Sequence, residues 1–472
     1  MGGIFGIISK QDCVQDCVYD LFFGTDYHFH LGTKRGGLAV KNDEGIEKAI
    51  HSIEEDQFRP KFKEDVQRWH GKKGIGAISD TDPQPLVFRS HLGEYALVTV
   101  GKVSNLNEIV NESFIRKKAH FSEMSGGDIN QTEVIATIMD RGDTFQEGIR
   151  LVQDSIRGSI SMMVLTDKGV YAARDKFGRT PIILGARDDA YAAASETNSF
   201  PNLGFEISRF MGPAEIVLMT PDGIEQLQKP GEKLQICSFL WVYFGFPASD
   251  YEGINVEDTR YRCGANLARE DDIDIDIVAG IPDSGTAHAI GYANARGLHY
   301  KRPIVKYTPT WPRSFMPQEQ RIRDMVAKMK LIPIKTLIDR QRILFCEDSI
   351  VRGTQLQQQV QAIYDCGAKE VHMRPASPPL VFGCPYLNFS RSRSEMDLAA
   401  RRAIRELEGV AEATPEMLAE YTTSDSEKQL AMIDRIRERL GLTTLKYQKL
   451  NDLVESISLP ADRLCQYCWT GK

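Results

Sequence analysis

An α/β unit with a parallel sheet is the fold that the second half of this chain predicts, and two strand–loop–helix segments carry the prediction. In the first, the apolar run at 343–346 is a strand, the polar stretch at 347–354 is a loop, and 355–362 is a helix. In the second, a strand rich in β-branched residues ends at Gly280, and a loop at 282–286 opens a further helix. Loops that follow parallel strands lie at the carboxyl edge of the sheet, where α/β proteins bind ligands.

The first loop, Glu347-Asp-Ser-Ile-Val-Arg-Gly-Thr354, has the composition of a ribose-phosphate site. Backbone N–H groups at the start of its helix, together with the hydroxyls of Ser349 and Thr354, suit a monophosphate. Glu347 and Asp348 suit two ribose hydroxyls or a divalent cation. The alternative is an ordinary strand-to-helix turn whose polar residues cap the helix.

The second loop, Pro282-Asp-Ser-Gly-Thr286, places small residues at a helix N-terminus and suits a pyrophosphate. A further strand at 303–306 ends in Lys306 and leads into a segment rich in arginine and glutamine that includes Arg313. This segment is predicted to be a mobile cationic lid over the anion sites. Solvated charge on a surface loop is the alternative.

Composition restricts the class of protein. With 472 residues, 42% hydrophobic and 26% charged, the chain is expected to be a globular protein of two or three domains. A net charge of -7 without a basic run argues against nucleic acid as a partner. No apolar run approaches the roughly 20 residues of a membrane span, and no signal-peptide pattern opens the chain. We therefore expect a cytoplasmic protein without a membrane partner.

Nine cysteines in a cytoplasmic chain are not expected to form a disulfide framework, and their spacing indicates either a metal centre or cysteines that are only structural. Cys465 and Cys468 form a C-x-x-C pair, and a tetrahedral thiolate site needs two more ligands. Cys237, Cys384 and the remaining cysteines compete for those places. The spacing does not distinguish zinc from iron–sulfur.

Four motifs spread along the chain point to one family. They are the loop at 347–354, Pro282-Asp-Ser-Gly285, Ser377-Pro-Pro379 before Cys384, and the ending Leu464-Cys-Gln-Tyr-Cys-Trp-Thr-Gly471. Together they resemble the amidophosphoribosyltransferases, the glutamine phosphoribosyl pyrophosphate (PRPP) amidotransferases of purine synthesis, nearly from end to end. The resemblance implies an Ntn-type αββα sandwich at 1–230, a type I phosphoribosyltransferase fold at 231–400, and a C-terminal helical segment with cluster-binding cysteines at 401–472.

The resemblance also implies a ligand set. PRPP would bind Asp283, Ser284, Gly285, Thr286, Lys306, Arg313, Glu347, Asp348, Ser349, Ile350, Val351, Arg352, Gly353 and Thr354. Mg2+ would lie near Ser284, Glu347 and Asp348, where Glu347 stands in place of the usual aspartate. The iron–sulfur branch of the family implies a [4Fe-4S] cluster on Cys237, Cys384, Cys465 and Cys468. Purine nucleotide inhibitors and a homo-oligomer, or a hetero-oligomer with an active paralogue, are further expectations.

The first half departs from the family. Gly2 stands in place of the N-terminal cysteine nucleophile, and Ala77 in place of the arginine that holds the glutamine carboxylate. Val100 replaces the asparagine that polarises the carbonyl oxygen, and Gln131 replaces the aspartate that binds the amino group. Strand alternation persists in this half, so we expect a sandwich that folds but lacks glutaminase activity.

Two functions therefore remain. The first is a PRPP-dependent transferase that uses ammonia, ammonia from a partner subunit, or another small amine. The second is a PRPP-binding pseudoenzyme or regulatory subunit of an active paralogue. The two anion loops favour the enzyme. The sequence Tyr307-Thr-Pro-Thr-Trp-Pro312, where the family has Asn-Arg-Tyr-Val-Gly, keeps the second function open.

Overall fold

The structure is a computed structural model that describes residues 2–54, 57–117, 121–125, 127–307, 331–387 and 397–472. Two units are joined: a sandwich of two antiparallel sheets, and an α/β unit that carries a helical C-terminal part. The predicted domain boundary at residue 230 falls between strand Gly223–Gln228 and strand Ile236–Cys237. Arg313 and the predicted lid lie outside the described residues.

The sandwich contains a seven-stranded and a six-stranded sheet. In spatial order the seven strands are Glu206–Phe210, Ile183–Arg187, Ala190–Ala194, Gly2–Ser9, Lys73–Ser79, Arg35–Lys41 and Ile46–Ser52. The six strands are Gly223–Gln228, Ile216–Thr220, Val170–Ala173, Gly158–Leu165, Gly93–Val103 and Leu86–Ser90. A short ribbon pairs Met124–Ser125 with Asp128–Ile129. The helical elements are Val18–Asp26, Phe29–Leu31, Phe58–Arg68, Leu106–Lys117, Gln131–Met139, Phe145–Ser155, Thr197–Ser199 and Phe200–Leu203.

Three apolar layers hold this sandwich together. Ile4 and Ala77 of one sheet pack against Val98 and Met163 of the other in the layer between the sheets. Separate layers fill the space between each sheet and its helices. Because strands alternate their side chains between two faces, each sheet contributes to two of these layers. The four-layer αββα prediction is confirmed.

A parallel four-stranded sheet organises the second unit. Its strands, in spatial order, are Ile277–Gly280, Arg342–Glu347, Glu370–Pro375 and Thr444–Leu445. Alternate residues of the central strand face opposite cores: Leu344 packs toward helices Val256–Arg269 and Thr286–Arg296, and Phe345 toward the other side. The other side is covered by helices Thr354–Asp365, Ala399–Glu408 and Glu427–Leu440. The predicted α/β unit is confirmed.

Shorter elements complete the second unit. They are the ribbons Ile236–Cys237 with Leu464–Cys465, Asp250–Tyr251 with Ile254–Asn255, and Ile304–Lys306 with Leu331–Pro333, the π-helical turn Leu240–Phe244, and the helical segments Lys335–Ile338, Pro415–Glu420, Leu450–Ile457, Ala461–Arg463 and Tyr467–Thr470. The strand predicted at 303–306 thus lies in an antiparallel ribbon and not in the parallel sheet. In the part of the chain that the structure describes, no helix combines the length and the apolar character needed to span a bilayer.

His288 connects helix Thr286–Arg296 to the π-helical turn. The side chain is fully buried, and its Nε2 donates to the backbone oxygen of Val242 over 3.3 Å. Burial disfavours the charged imidazolium and lowers the pKa of His288 to about 3. The histidine is therefore neutral in the folded chain at neutral pH.

The substitution His288→Gln is expected to reduce the pH dependence of stability. An unfolded chain protonates this histidine near its ordinary pKa of about 6.5, whereas the folded chain does not until far lower pH. The histidine therefore costs stability as the pH falls below about 6.5, whereas a glutamine, which retains an N–H donor, does not. Between pH 7.5 and pH 5 the stability difference between wild type and variant, measured by urea unfolding, should shift by about 2 kcal/mol in favour of the variant.

The exposed residue His299 provides the control. His299→Gln should follow the wild-type pH dependence. An equal pH dependence in wild type and His288→Gln would contradict the argument.

Candidate functional site

Parallel strand pairing places the two predicted anion loops side by side. Gly280 is opposite Cys346 in the ladder, so both strands end at the same edge of the sheet. The N–H of Ile281 donates to the backbone oxygen of Cys346 over 3.0 Å, which continues the pairing into the second loop. The loops at 282–286 and 347–354 therefore leave the sheet as neighbours.

Gly285 permits this close approach. A Cβ atom at residue 285 would lie 2.2 Å from the backbone oxygen of Cys346. Next to it, the Ser284 hydroxyl donates to Glu347 Oε1 over 3.0 Å, joining the two loops through their side chains. Lys306 Nζ lies 2.6 Å from Asp283 Oδ2, so the predicted lysine also reaches this loop.

Glu347 and Asp348 form the acidic pair of the site. The N–H of Asp348 donates to Glu347 Oε1 over 3.2 Å, and the Ser349 hydroxyl donates to Asp348 Oδ2 over 2.5 Å. Burial, and next the charge of Asp348, raises the pKa of Glu347 well above its ordinary value. The pair is therefore unfavourable in the doubly charged state unless a cation or hydrogen-bond donors compensate it.

Backbone geometry shapes the remainder of the first loop. Gly353 has a φ of 76° immediately before helix Thr354–Asp365, a left-handed conformation that favours glycine. The backbone oxygen of Val351 accepts from Ala399 N over 2.8 Å, and that of Arg352 accepts from Arg402. The Ile350 side chain is buried. Arg352 Nη2 lies 3.6 Å from Asp397 Oδ2.

The second candidate centre consists of four cysteines from three segments. Cys237 pairs with Cys465 in a parallel ribbon, and the backbone oxygen of Cys468 accepts from both Val381 and Phe382 at 3.1 Å. The Cys468 thiol donates to Cys384 and lowers the pKa of Cys384 to about 7, whereas burial raises the pKa of Cys237. The fold thus gathers the cysteines that the resemblance singled out.

The donor set of these thiols suits iron–sulfur or zinc chemistry. Within the described ranges, no group of three or more His, Cys, Asp or Glu side chains surrounds a point where one metal ion would bind.

The four positions that the resemblance marks as departures from the family all lie in the sandwich. A Cβ atom at Gly2 would lie 2.7 Å from the backbone oxygen of Ile78 and 3.7 Å from Val100 Cγ2. Ala77 and Val100 are buried in the layer between the sheets. Gln131 Nε2 donates to the backbone oxygen of Gly101 over 3.4 Å, and Gln131 Oε1 accepts from Val103 N over 3.3 Å. Apolar side chains and a locally bonded glutamine occupy these positions.

The sequence did not predict which residues join the two units. Glu196 of the sandwich accepts hydrogen bonds from Ser249 and Tyr251 of the second unit. Arg174 is fully buried and its Nη1 lies 2.8 Å from Glu252 Oε1. These partners are more than 50 residues apart in the chain, and no local pattern marks them.

Two stacked antiparallel sheets between helices, fused to a parallel sheet with two adjacent anion loops, define an Ntn-type glutamine amidotransferase fold joined to a phosphoribosyltransferase fold. Residues 74–202 match the family model described as a glutamine amidotransferase domain. An amidophosphoribosyltransferase of Archaeoglobus fulgidus is 31% identical over 80% of this chain and 83% of its own length. The chain belongs to the amidophosphoribosyltransferase family.

Two further comparisons extend the similarity over the whole chain. An amidophosphoribosyltransferase of Bacillus subtilis is 27% identical over 100% of this chain and 93% of its own length. The solved glutamine PRPP amidotransferase from B. subtilis, complexed with ADP and GMP, matches with a TM-score of 0.82 at 26% identity. That structural match covers 100% of this chain and 96% of the solved chain.

The substitution Gly285→Ala should separate the two loops. The new methyl group has no space beside Cys346, so we expect a loss of about 1–3 kcal/mol in urea unfolding. Gly223→Ala is the control, since a Cβ atom there has no neighbour within 4 Å. Loss of less than about 0.5 kcal/mol at Gly285, as for an ordinary surface change, would show that the loops have more room than the structure indicates.

Proposed function

We propose that this chain is a cytoplasmic transferase that joins an amine to C1 of PRPP and releases pyrophosphate, within purine nucleotide biosynthesis. One observation carries the proposal. The two anion loops and the acidic pair lie at one edge of the sheet, and the Ser284–Glu347 hydrogen bond links them. Membership in the amidophosphoribosyltransferase family supports the substrate and the reaction.

Each part of the site has a role in this proposal. The N–H groups of the loop at 349–354 hold the 5-phosphate at the start of a helix. Asp348 orients the ribose hydroxyls, and the loop at 283–286 holds the pyrophosphate. The bond between C1 and the pyrophosphate oxygen breaks as the amine nitrogen bonds to C1, and pyrophosphate leaves with the bonding electrons. Groups that stabilise the departing charge lower the barrier.

Ser284, Glu347 and Asp348 fit Mg2+. They supply oxygen ligands, and Mg2+ is commonly held by one or two carboxylates together with substrate phosphates. Burial, and next the charge of Asp348, raises the pKa of Glu347. A bound cation would offset the repulsion between these two carboxylates. When bound, Mg2+ would neutralise charge on the departing pyrophosphate.

We further propose that the sandwich does not hydrolyse glutamine. Gly2 has no side chain for a thioester, and Ala77 and Val100, which stand where the resemblance expects glutamine-binding residues, lie in the apolar layer between the sheets. The amine would then be free ammonia or would come from a partner subunit. A PRPP-binding regulatory subunit without transferase activity is the second candidate, because the sandwich has lost the groups that would supply nitrogen.

We also propose a [4Fe-4S] cluster on Cys237, Cys384, Cys465 and Cys468. The three segments that carry these cysteines are bonded to one another through the ribbon of Cys237 and Cys465 and through the backbone oxygen of Cys468. A cluster at this point would connect the chain end to the start of the second unit. Purine nucleotides are proposed as inhibitors, since the B. subtilis relative was solved with ADP and GMP.

Pyrophosphate release distinguishes the two candidate functions. With PRPP, Mg2+ and ammonium under anaerobic conditions, the purified chain should release pyrophosphate, whereas glutamine should support no release. Asp348→Asn should lower the rate at least about a hundredfold, because a group placed at the reacting sugar is lost. Asp365→Asn, at the far end of helix Thr354–Asp365, is the control and should leave the rate unchanged.

Two results would contradict this proposal. Tight PRPP binding without release, with ammonia or a panel of small amines, would favour the regulatory subunit. Glutamine-dependent release by the chain alone would show that the sandwich retains glutaminase activity.

The cluster has its own test. Anaerobically purified protein should be brown and contain about four iron atoms per chain. Cys468→Ser should lose the colour and most of the iron. Cys366→Ser, a cysteine at the end of helix Thr354–Asp365, should retain both. Colourless protein that contains zinc would contradict the proposal.

A further inference from the structure

A buried carboxylate of the sandwich binds the second unit at several points. Glu196 is 1% exposed and follows strand Ala190–Ala194. Its Oε2 accepts from the Ser249 hydroxyl over 3.1 Å and from Phe246 N over 3.4 Å, and its Oε1 accepts from the Tyr251 hydroxyl. The next residue adds a further bond, because Thr197 Oγ1 accepts from the N–H of Asp250 over 2.8 Å.

The sandwich also surrounds this carboxylate with two histidines. His30 Nε2 lies 3.0 Å from Glu196 Oε2. His28 Nε2 accepts from the backbone N–H of Glu196 over 3.3 Å. The ring of His30 contacts Phe246 at 5.3 Å between centroids. Two histidines of the sandwich thus hold Glu196 in place, in addition to its partners in the second unit.

Tyr251 extends the connection toward the anion loops. Its ring packs edge-on against Trp241 of the π-helical turn, with centroids 5.6 Å apart. Trp241 is fully buried, and its indole N–H donates to the backbone oxygen of Ile254 over 3.0 Å. Both aromatic rings lie in the core, so a displacement of Tyr251 has to move Trp241.

Arg260 completes the path. Its guanidinium donates to the backbone oxygens of Trp241, Tyr243 and Gly245 over 2.8–3.1 Å, and so holds the π-helical turn together. Arg260 is almost fully buried. From the same turn, the backbone oxygen of Val242 accepts from His288 Nε2 over 3.3 Å, and His288 lies in helix Thr286–Arg296, which begins at the loop at 282–286.

We infer that Glu196 is a positioning residue of the transferase: through Tyr251, Trp241 and the π-helical turn it positions the loop at 282–286 for PRPP. This inference rests on the proposed function and assigns the sandwich a role that needs no glutamine. A buried carboxylate with several fixed donors has one preferred arrangement, and that arrangement sets the π-helical turn that Arg260 holds together. The backbone oxygen of Val242 in this turn then fixes His288 and the start of its helix.

Equilibrium PRPP binding tests the inference without turnover. Glu196→Gln retains the size of the side chain but loses the charge and one acceptor oxygen. It should raise the Kd for PRPP about tenfold.

Tyr251→Phe removes one hydrogen bond and should raise the Kd about threefold. The double variant should resemble Glu196→Gln alone, since the two residues act through one path. In turnover with ammonium, KM for PRPP should rise more than kcat falls.

Glu215→Gln is the matched control. Glu215 is equally buried in the sandwich, where its Oε2 accepts from Gly212 N over 2.7 Å and from Arg209 Nη1 over 2.9 Å. The side-chain partners described for Glu215, namely Arg209, Gly212 and Gln226, all belong to the sandwich. This variant should lower the melting temperature and change the Kd by less than about twofold.

The outcomes separate the inference from the proposed function. If Glu196→Gln and Tyr251→Phe bind PRPP like wild type while their melting temperatures fall, Glu196 only stabilises the interface and the inference is overturned. The Tyr251→Phe measurement alone decides the question should Glu196→Gln not fold. Wild-type protein that does not bind PRPP at all would overturn both the proposed function and the inference.

Discussion

The site depends on one pairing, the parallel ladder between Ile277–Gly280 and Arg342–Glu347. Because Gly280 and Cys346 are opposite each other, the two loops that follow these strands start at the same edge of the sheet. The absence of a side chain at Gly285 then lets one loop contact the end of the other strand. The Ser284–Glu347 hydrogen bond and the acidic pair follow from that geometry. A slip of one residue in the ladder would separate the loops and reverse the faces of the central strand.

The sequence predicted those elements whose structure is determined by neighbouring residues in the chain. The strand and the helix around 347–354 were predictable because apolar residues, small residues and amphipathic residues follow one another directly in the sequence. The four cysteines required the family resemblance, since their spacing alone left zinc and iron–sulfur open. The ribbon of Ile304–Lys306 with Leu331–Pro333 was not predictable, because a three-residue strand has no periodicity that tells a ribbon from a sheet.

Contacts between the two units were the part that the sequence did not reveal. Glu196 and Tyr251 are 55 residues apart, and each is an unremarkable member of its own segment. Arg374 and Asp271, a buried ion pair of the second unit, are separated by 103 residues. Such pairs are stable only when both partners are present, because a single buried charge costs several kcal/mol. Only the folded arrangement shows which charges compensate each other.

The packing around Gly2, Ala77 and Val100 opposes polar substitutions at these three positions. An arginine at residue 77 would introduce an uncompensated charge between two sheets. A cysteine at residue 2 would crowd the backbone oxygen of Ile78. An asparagine at residue 100 would bury an amide among aliphatic side chains. Each of these substitutions on its own is expected to weaken the fold before any substrate binds. A polar pocket between the two sheets would therefore require several compensating substitutions at once.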